Sequence, residues 1–301
     1  MRIVFLGTPL FAATSLRVLV EQGYDVVGVV TATDKFGGRG GKQLLQSEVK
    51  KEALRLDLPI LQPPNLKNAQ FLEQLKAFHA DIQVVVAFRM LPEAVWNMPP
   101  MGTLNVHASL LPAYRGAAPI NWAIIQGEKE TGVSTFLLKH DIDTGDLLMQ
   151  RSIKIAEQDN AGTLHDKLMH LGAEVLIDTL KGLRSGEVKP IPQDDSKASH
   201  APKLFKENCR IDFNQSTDAV YNFIRGLSPY PAAWTTMDDK MLKIYHATPS
   251  THTGLKPGSL SIQDGKLLFG TADGSIECLE IQMEGRRKMN TGDFLRGYNV
   301  G

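Results

Sequence analysis

Cysteine is scarce in this chain of 301 residues: Cys209 and Cys278 are the only two, which excludes a disulfide scaffold and a four-cysteine zinc site. Long hydrophobic runs are absent. No stretch reaches the ~18 consecutive apolar residues of a membrane-spanning helix, and the apolar burst after Met1-Arg2 ends at Gly7, too soon for the core of a signal peptide. Neither sign of charge prevails, with 33 Lys plus Arg against 33 Asp plus Glu. That balance excludes a strongly basic nucleic-acid coat and leaves polyanion contacts to local patches. Internal repeats and low-complexity tracts are missing too. What the chain does have is apolar material, 43% of its residues, enough for one large core or two modest ones. The expectation is a soluble protein of a reducing compartment, in two domains, with no membrane contact.

The first half alternates continuous apolar runs with helical spacing. Residues 3–6, 26–30, 82–87, 104–107 and 133–138 read as strands buried on both faces, with covering helices between them. A helix over 10–22 carries Phe11, Leu16, Leu19 and Val20. A longer one over 163–184 sets Leu164, Leu168, Leu171, Val175, Leu176 and Leu180 on one stripe. The pattern is α/β, a Rossmann-like and mostly parallel sheet over 1–188. Residues 189–206 begin polar and proline-rich, without periodicity, and read as a linker. From 207 to 301 one helix (216–226) precedes short strands at 235–237, 242–246, 258–262, 267–269 and 276–283. That spacing predicts a small C-terminal β-barrel of the OB-like kind.

Two glycine motifs invite nucleotide readings that their details reject. Gly7-Thr8-Pro9-Leu10-Phe11-Ala12 lacks the second and third glycines of a dinucleotide fingerprint. In residues 36–43, Phe36 stands where a phosphate loop has its first Gly, and Gln43 where it has Ser or Thr. What remains is a glycine-rich loop with Lys35, Arg39 and Lys42, either solvated or an electropositive finger at a carboxyl strand end. Chemistry concentrates in Asn105-Val106-His107-Ala108-Ser109-Leu110-Leu111-Pro112. Alternation along a strand puts Asn105 and His107 on one face, where an amide donor and an imidazole can converge on one reacting centre. A carboxylate-rich turn carries Asp141, Asp143 and Asp146 but offers no complete ligand set for a divalent metal. On residue types alone the bland alternative, a structural histidine beside a capping asparagine, stays open.

Taken together, residues 105–112, Gly132-Val133-Ser134-Thr135 and Asp143-Thr144-Gly145 resemble the folate-dependent formyltransferases. The likeness extends over essentially the whole chain. It takes in Arg2-Ile3-Val4-Phe5-Leu6-Gly7-Thr8-Pro9, Arg115-Gly116-Ala117-Ala118-Pro119-Ile120 and Ala201-Pro202-Lys203-Leu204. It continues through Ile211-Asp212-Phe213 to Ile224-Arg225-Gly226-Leu227-Ser228-Pro229-Tyr230-Pro231.

The resemblance implies formyl transfer from 10-formyltetrahydrofolate, a co-substrate, to an amine. The implied acceptor is the α-amine of methionine on initiator tRNA; a 4-amino-sugar nucleotide is the alternative. A non-catalytic RNA-binding module is the rival from another class. Within the family pattern Asn105 would stabilise the oxyanion, and His107 would donate to the same oxygen and relay a proton. Asp143 would orient that histidine or a bridging water. The folate slot would be formed by Ser109, Leu110, Leu111 and Pro112 together with Phe88, Arg89, Met90 and Leu91. No metal and no covalent role for Ser109 are implied. From Lys203 onward twelve Lys or Arg face eleven Asp or Glu, so tRNA contacts fall to patches: Arg39, Lys42, Lys203, Arg286, Arg287 and Lys288. The protein would act as a monomer in the cytoplasm.

Overall fold

Ile3, Val4, Phe5 and Leu6 are fully buried, as a run with no polar side is when both of its faces are covered. In the computed structural model, which describes residues 1–37, 41 and 43–297, this run is β1 (Arg2–Gly7). Two compact units divide the chain. One is Met1–Arg115, Gly132–Ile153 and His165–His200; the other is Gly116–Thr131, Lys154–Leu164 and the residues from Ala201 onward. Residues 116–131 and 154–164 therefore group with the second unit, although the sequence pattern places them among the strands and helices of the first half.

The first unit is built on a seven-stranded sheet. Its strands are β1, β2 (Asp25–Val30), β3 (Ile60–Leu61), β4 (Ile82–Val86), β5 (Thr103–His107), β6 (Glu130–Leu137) and β7 (Leu147–Lys154). Their order across the sheet is β7-β6-β5-β4-β1-β2-β3. Neighbours from β3 to β5 run parallel, and β6 runs antiparallel to β5, with His107 opposite Ser134. The chain winds outward from β1 to β3 and then returns past β1 to β4. The order reverses between β1 and β4, and in such sheets ligands bind beyond the carboxyl strand ends at that reversal.

Helices α1 (Leu10–Glu21), α2 (Glu48–Arg55), α3 (Ala69–Ala77) and α4 (Glu93–Trp96) connect the parallel strands. Ser47 caps α2 by accepting from the Lys50 N–H, and Asn68 caps α3 by accepting from that of Phe71, each satisfying a donor that a helix start leaves unpaired. A hairpin, Lys35–Gly37 paired with Gln43–Leu45, follows β2. The long helix after β7 is α6 (Ala161–Ser185), with Leu168, Val175, Leu176 and Leu180 fully buried as the stripe predicts; α5 (Pro119–Ile125) precedes it in the chain.

The second unit pairs α5 with α7 (Thr217–Leu227), where Asn121 Nδ2 donates to the Gly226 carbonyl at 2.7 Å. Its strands are β8 (Ala233–Met237), β9 (Lys240–Ser250), β10 (Leu260–Gln263), β11 (Lys266–Gly270), β12 (Ser275–Met283) and β13 (Met289–Asn290), followed by α8 (Thr291–Arg296). All adjacent pairs are antiparallel. The two tight turns, Asp238-Asp239 and Asp264-Gly265, have positive φ at both central residues, the hairpin turn whose twist matches the flanking strands. A core of Phe213, Leu227, Leu242, Ile244, Phe269 and Ile281 lies under this β-rich domain.

Candidate active site

His107 ends β5 and Asn105 lies two residues before it, so the pleat turns both to one face. His107 is buried, and its Nε2 lies 2.9 Å from the Tyr114 carbonyl. A carbonyl only accepts, so Nε2 carries a proton and donates it. The other ring nitrogen, Nδ1, lies 3.7 Å from Asp143 Oδ2. That distance exceeds a hydrogen bond, and the contact is electrostatic. The half-buried Asn105 carboxamide has no hydrogen-bond partner among the described residues. The structure thus sets an imidazole beside a carboxylate, with an uncommitted amide donor on the same strand face.

Asp143 sits in the loop between β6 and β7 with φ of +56°, in the left-handed region that Asp tolerates better than most side chains. Two residues on, Gly145 lies against the end of β6, where a Cβ would collide with the Leu137 carbonyl oxygen. Only glycine lets the loop fold back that closely. The main chain is also held from a distant segment: Gln193 Nε2 donates to the carbonyls of Asp143 at 2.9 Å and Gly145 at 2.7 Å. Lys139 Nζ takes the Asp146 carboxylate at 2.7 Å. Among the described residues, no three His, Cys, Asp or Glu converge as metal ligands.

Residues 109–112 leave β5 as a loop held both by its own turn and by side chains of β6 and β7. Ser109 Oγ donates to the Ala113 carbonyl at 2.6 Å, so this hydroxyl shapes the turn. Ser134, fully buried opposite His107, donates to the Ser109 carbonyl at 2.6 Å and accepts from the Leu111 N–H at 3.0 Å. Gln150 Nε2 adds bonds of 2.8 Å to both Ser134 Oγ and the Leu111 carbonyl. Gly132 makes this approach possible, since a Cβ there would strike the Arg151 carbonyl and the Leu110 side chain. Leu111 is buried, while Leu110 and Pro112 are half-buried at the surface of the loop.

The segment after β4 has the opposite character. Among the described residues, no backbone–backbone hydrogen bond involves residues 88–91, and Met90 is 74% exposed. Their amide and carbonyl groups are left for water or a ligand. Arg89 turns away from such a role: its guanidinium donates to the carbonyls of Pro63 and Pro64 and lies over the Phe88 ring. Leu91 packs into the core beneath.

Of the residues expected to meet a polyanion, Lys203, Arg286, Arg287 and Lys288 belong to the second unit. Arg39 and Lys42 lie outside the described residues. The hairpin that leads to them is anchored at its root, where Asp34 pairs with Lys50 at 2.5 Å and accepts from Gln62 at 2.8 Å. The hydrogen bond from Lys50 holds the Asp34 carboxyl below its ordinary range. In the second unit Lys203 lies 5.4 Å over the exposed Phe205 ring, and Lys206 and Arg210 lie 5.9 and 5.7 Å from Trp234. Arg286 and Arg287 are exposed in the turn after β12. Lys288 is partly neutralised, 3.0 Å from Glu280 and 5.0 Å over Tyr245. Sequence reasoning missed four residues of the site. Ser134 stood within a quoted motif and Tyr114 between two of them, but Gln150 and Gln193 carry no local signal.

With the geometry in hand, known proteins provide the context. Residues 1–180 match the family described as Formyl transferase, and residues 203–299 match Formyl transferase, C-terminal domain. A methionyl-tRNA formyltransferase of Bacteroides fragilis is 51% identical, over 100% of this chain and 96% of its own length. One from Parabacteroides distasonis is 51% identical over 99% and 96%. The crystal structure of an N-formyltransferase from Helicobacter canadensis, in complex with folinic acid and dTDP-3-aminofucose, shares the fold. Its TM-score is 0.69 at 17% identity, over 93% of this chain and 98% of that one.

Proposed function

Because the chain belongs to the formyl transferase family, among its methionyl-tRNA formyltransferases, we propose that it formylates the amino group of methionyl-tRNA for translation initiation, using 10-formyltetrahydrofolate. The observation that carries the assignment of the chemistry is the His107 imidazole, 3.7 Å from Asp143, on the strand face that also bears the free Asn105 amide. The α-amine has a pKa of ~7.7–8.0, so an appreciable fraction is neutral and nucleophilic near pH 7. As it attacks the formyl carbon, negative charge grows on the formyl oxygen, and the Asn105 N–H donates to it.

The Nε2 proton is committed to Tyr114, so Nδ1 is the ring atom left to exchange a proton. It takes one from the attacking nitrogen and returns it to the departing N10 of the folate, restoring the starting imidazole. While the ring holds that extra proton, the Asp143 carboxylate offsets its charge.

The open main chain of 88–91 and the pinned loop 109–112 suit the two sides of a pterin slot. Their fit rests on unpaired amides and carbonyls in the first and on Leu110 and Pro112 in the second. Lys203, Arg286 and Arg287 are assigned to tRNA phosphates, with Arg39 and Lys42 reaching the acceptor end. Lys288 has a smaller share, its charge being already paired. The reading takes the protein as a monomer. Among the described residues no helix is long and apolar enough to cross a membrane, and the reading places the protein in the cytoplasm.

The test mixes purified protein and 10-formyltetrahydrofolate with either methionyl initiator tRNA or a 4-amino-sugar nucleotide, and follows formylated product. Formylation of the tRNA alone is expected, weakening steeply as salt rises. Transfer to the sugar alone would overturn the reading.

A further inference from the structure

We propose that Arg115 and Gln193 are positioning residues that set the spacing between the Asp143 carboxylate and the His107 imidazole; the inference rests on the roles just assigned to that pair. The carboxamide of Gln193 is used at both ends. Its Nε2 donates to the Asp143 and Gly145 carbonyls, while its Oε1 accepts from Arg115 Nε at 3.1 Å and Nη2 at 2.7 Å. Arginine only donates and carbonyls only accept, so the partners fix which end of the amide is oxygen. Arg115 is buried, and its Nη2 has one further tie, to Asp195 at 2.7 Å.

Arg115 follows Tyr114, whose carbonyl takes the His107 Nε2 proton. The contacts therefore close into a ring. It passes from His107 Nε2 to Tyr114, along the chain to Arg115, through the guanidinium to Gln193, on to the main chain of Asp143, and back from that carboxylate to Nδ1. The 3.7 Å gap at Nδ1 is not a hydrogen bond, and Gln193 bears on it by holding the main chain of Asp143. The ring's two flanking residues, Tyr114 and Asp143, both have left-handed backbone, with φ of +60° and +56°. Such residues persist where their surroundings over-determine them. The segment bearing Gln193 also supplies Ser199, whose Oγ accepts from the Tyr114 N–H and whose carbonyl accepts from that of Arg115, each at 2.9 Å. One segment thus braces both sides of the imidazole.

The test measures formyl transfer to methionyl-tRNA with the full chain. Gln193→Ala is expected to lower kcat about 10- to 50-fold, with KM for either substrate within about twofold. In an Asp143→Ala background the same substitution should change kcat by less than about twofold, because the group it positions is gone. Gln193→Glu keeps an acceptor for Arg115 but turns a carboxylate oxygen toward the Asp143 and Gly145 carbonyls in place of the donors, and should show the same dependence on Asp143. Equal losses with and without the Asp143 carboxylate would make Gln193 a structural clip and overturn the proposal. If Asp143→Ala costs rate and neither Gln193 variant does, the positioning role alone fails. An unchanged rate in Asp143→Ala would remove the role of Asp143 and this inference with it.

Discussion

Two loops leave the sheet toward the site, and they are built in opposite ways. In the loop 138–146 the carbonyls of Asp143 and Gly145 are bonded to Gln193, Gly145 is pressed onto β6, and the Asp146 carboxylate is taken by Lys139. In the segment 88–91 no main-chain group is paired with another among the described residues. The difference follows the work assigned to each. A carboxylate that offsets a transient charge must stay at one distance, since Coulomb energy in a site poor in water changes steeply with separation. A segment that reads a ring must instead keep its donors and acceptors free.

Substitutions can break this contrast or sharpen it. The largest loss is expected for His107→Ala, about 10²- to 10⁴-fold in kcat, because proton transfer is removed outright; retained transfer with intact folding would take His107 out of the proton relay. Asn105→Ala should cost about 10²- to 10³-fold in kcat, the loss of one oxyanion donor, measured as formylated tRNA per unit time. Gly145→Ala should displace the fixed loop and cost about 10-fold in kcat, together with ~1–3 kcal/mol of stability from strain and overpacking. Urea unfolding beside the kinetics checks both parts.

Asp34→Asn tests the root of the third loop, the hairpin. Lys50 lowers the folded-state pKa of Asp34, so its contribution is present above the unfolded value of ~3.9 and is lost as pH falls through the lower folded one. The difference in thermal midpoint between the native chain and Asp34→Asn should therefore be seen at pH 6 and vanish in strong acid. The smallest effect belongs to Met90→Ala. Its side chain is 74% exposed, and KM for the folate should stay within about twofold.

The sheet was legible in the sequence because its strands are continuous apolar runs, and the Asn105–His107 face because a strand alternates. The pairing of His107 with Asp143 was legible only through the family resemblance, since 35 intervening residues separate them in the chain. Strand β3 escaped notice because it is two half-buried residues long. Strand β7 escaped because only Leu148 among its eight residues is buried, leaving no apolar run to see. Gln193 was hidden for a different reason. It lies in a proline-rich stretch without periodicity, and its partners are 48 to 78 residues away. Polarity and lack of pattern read as a solvated linker, whereas 193–199 is hydrogen-bonded to the loops around His107.

A recognition surface made of main chain is indifferent to the side chains that decorate it. Exposed Met90 can be exchanged for other residues while the amides and carbonyls of 88–91 stay where β4 delivers them, whereas Arg89 ties the segment to the carbonyls of Pro63 and Pro64. Proline alone would strip a donor from the row. On the proposed reading of 88–91 as one side of a pterin slot, variation between relatives should collect at the exposed side chains, and a drug copying main-chain contacts there would find few single-residue escapes.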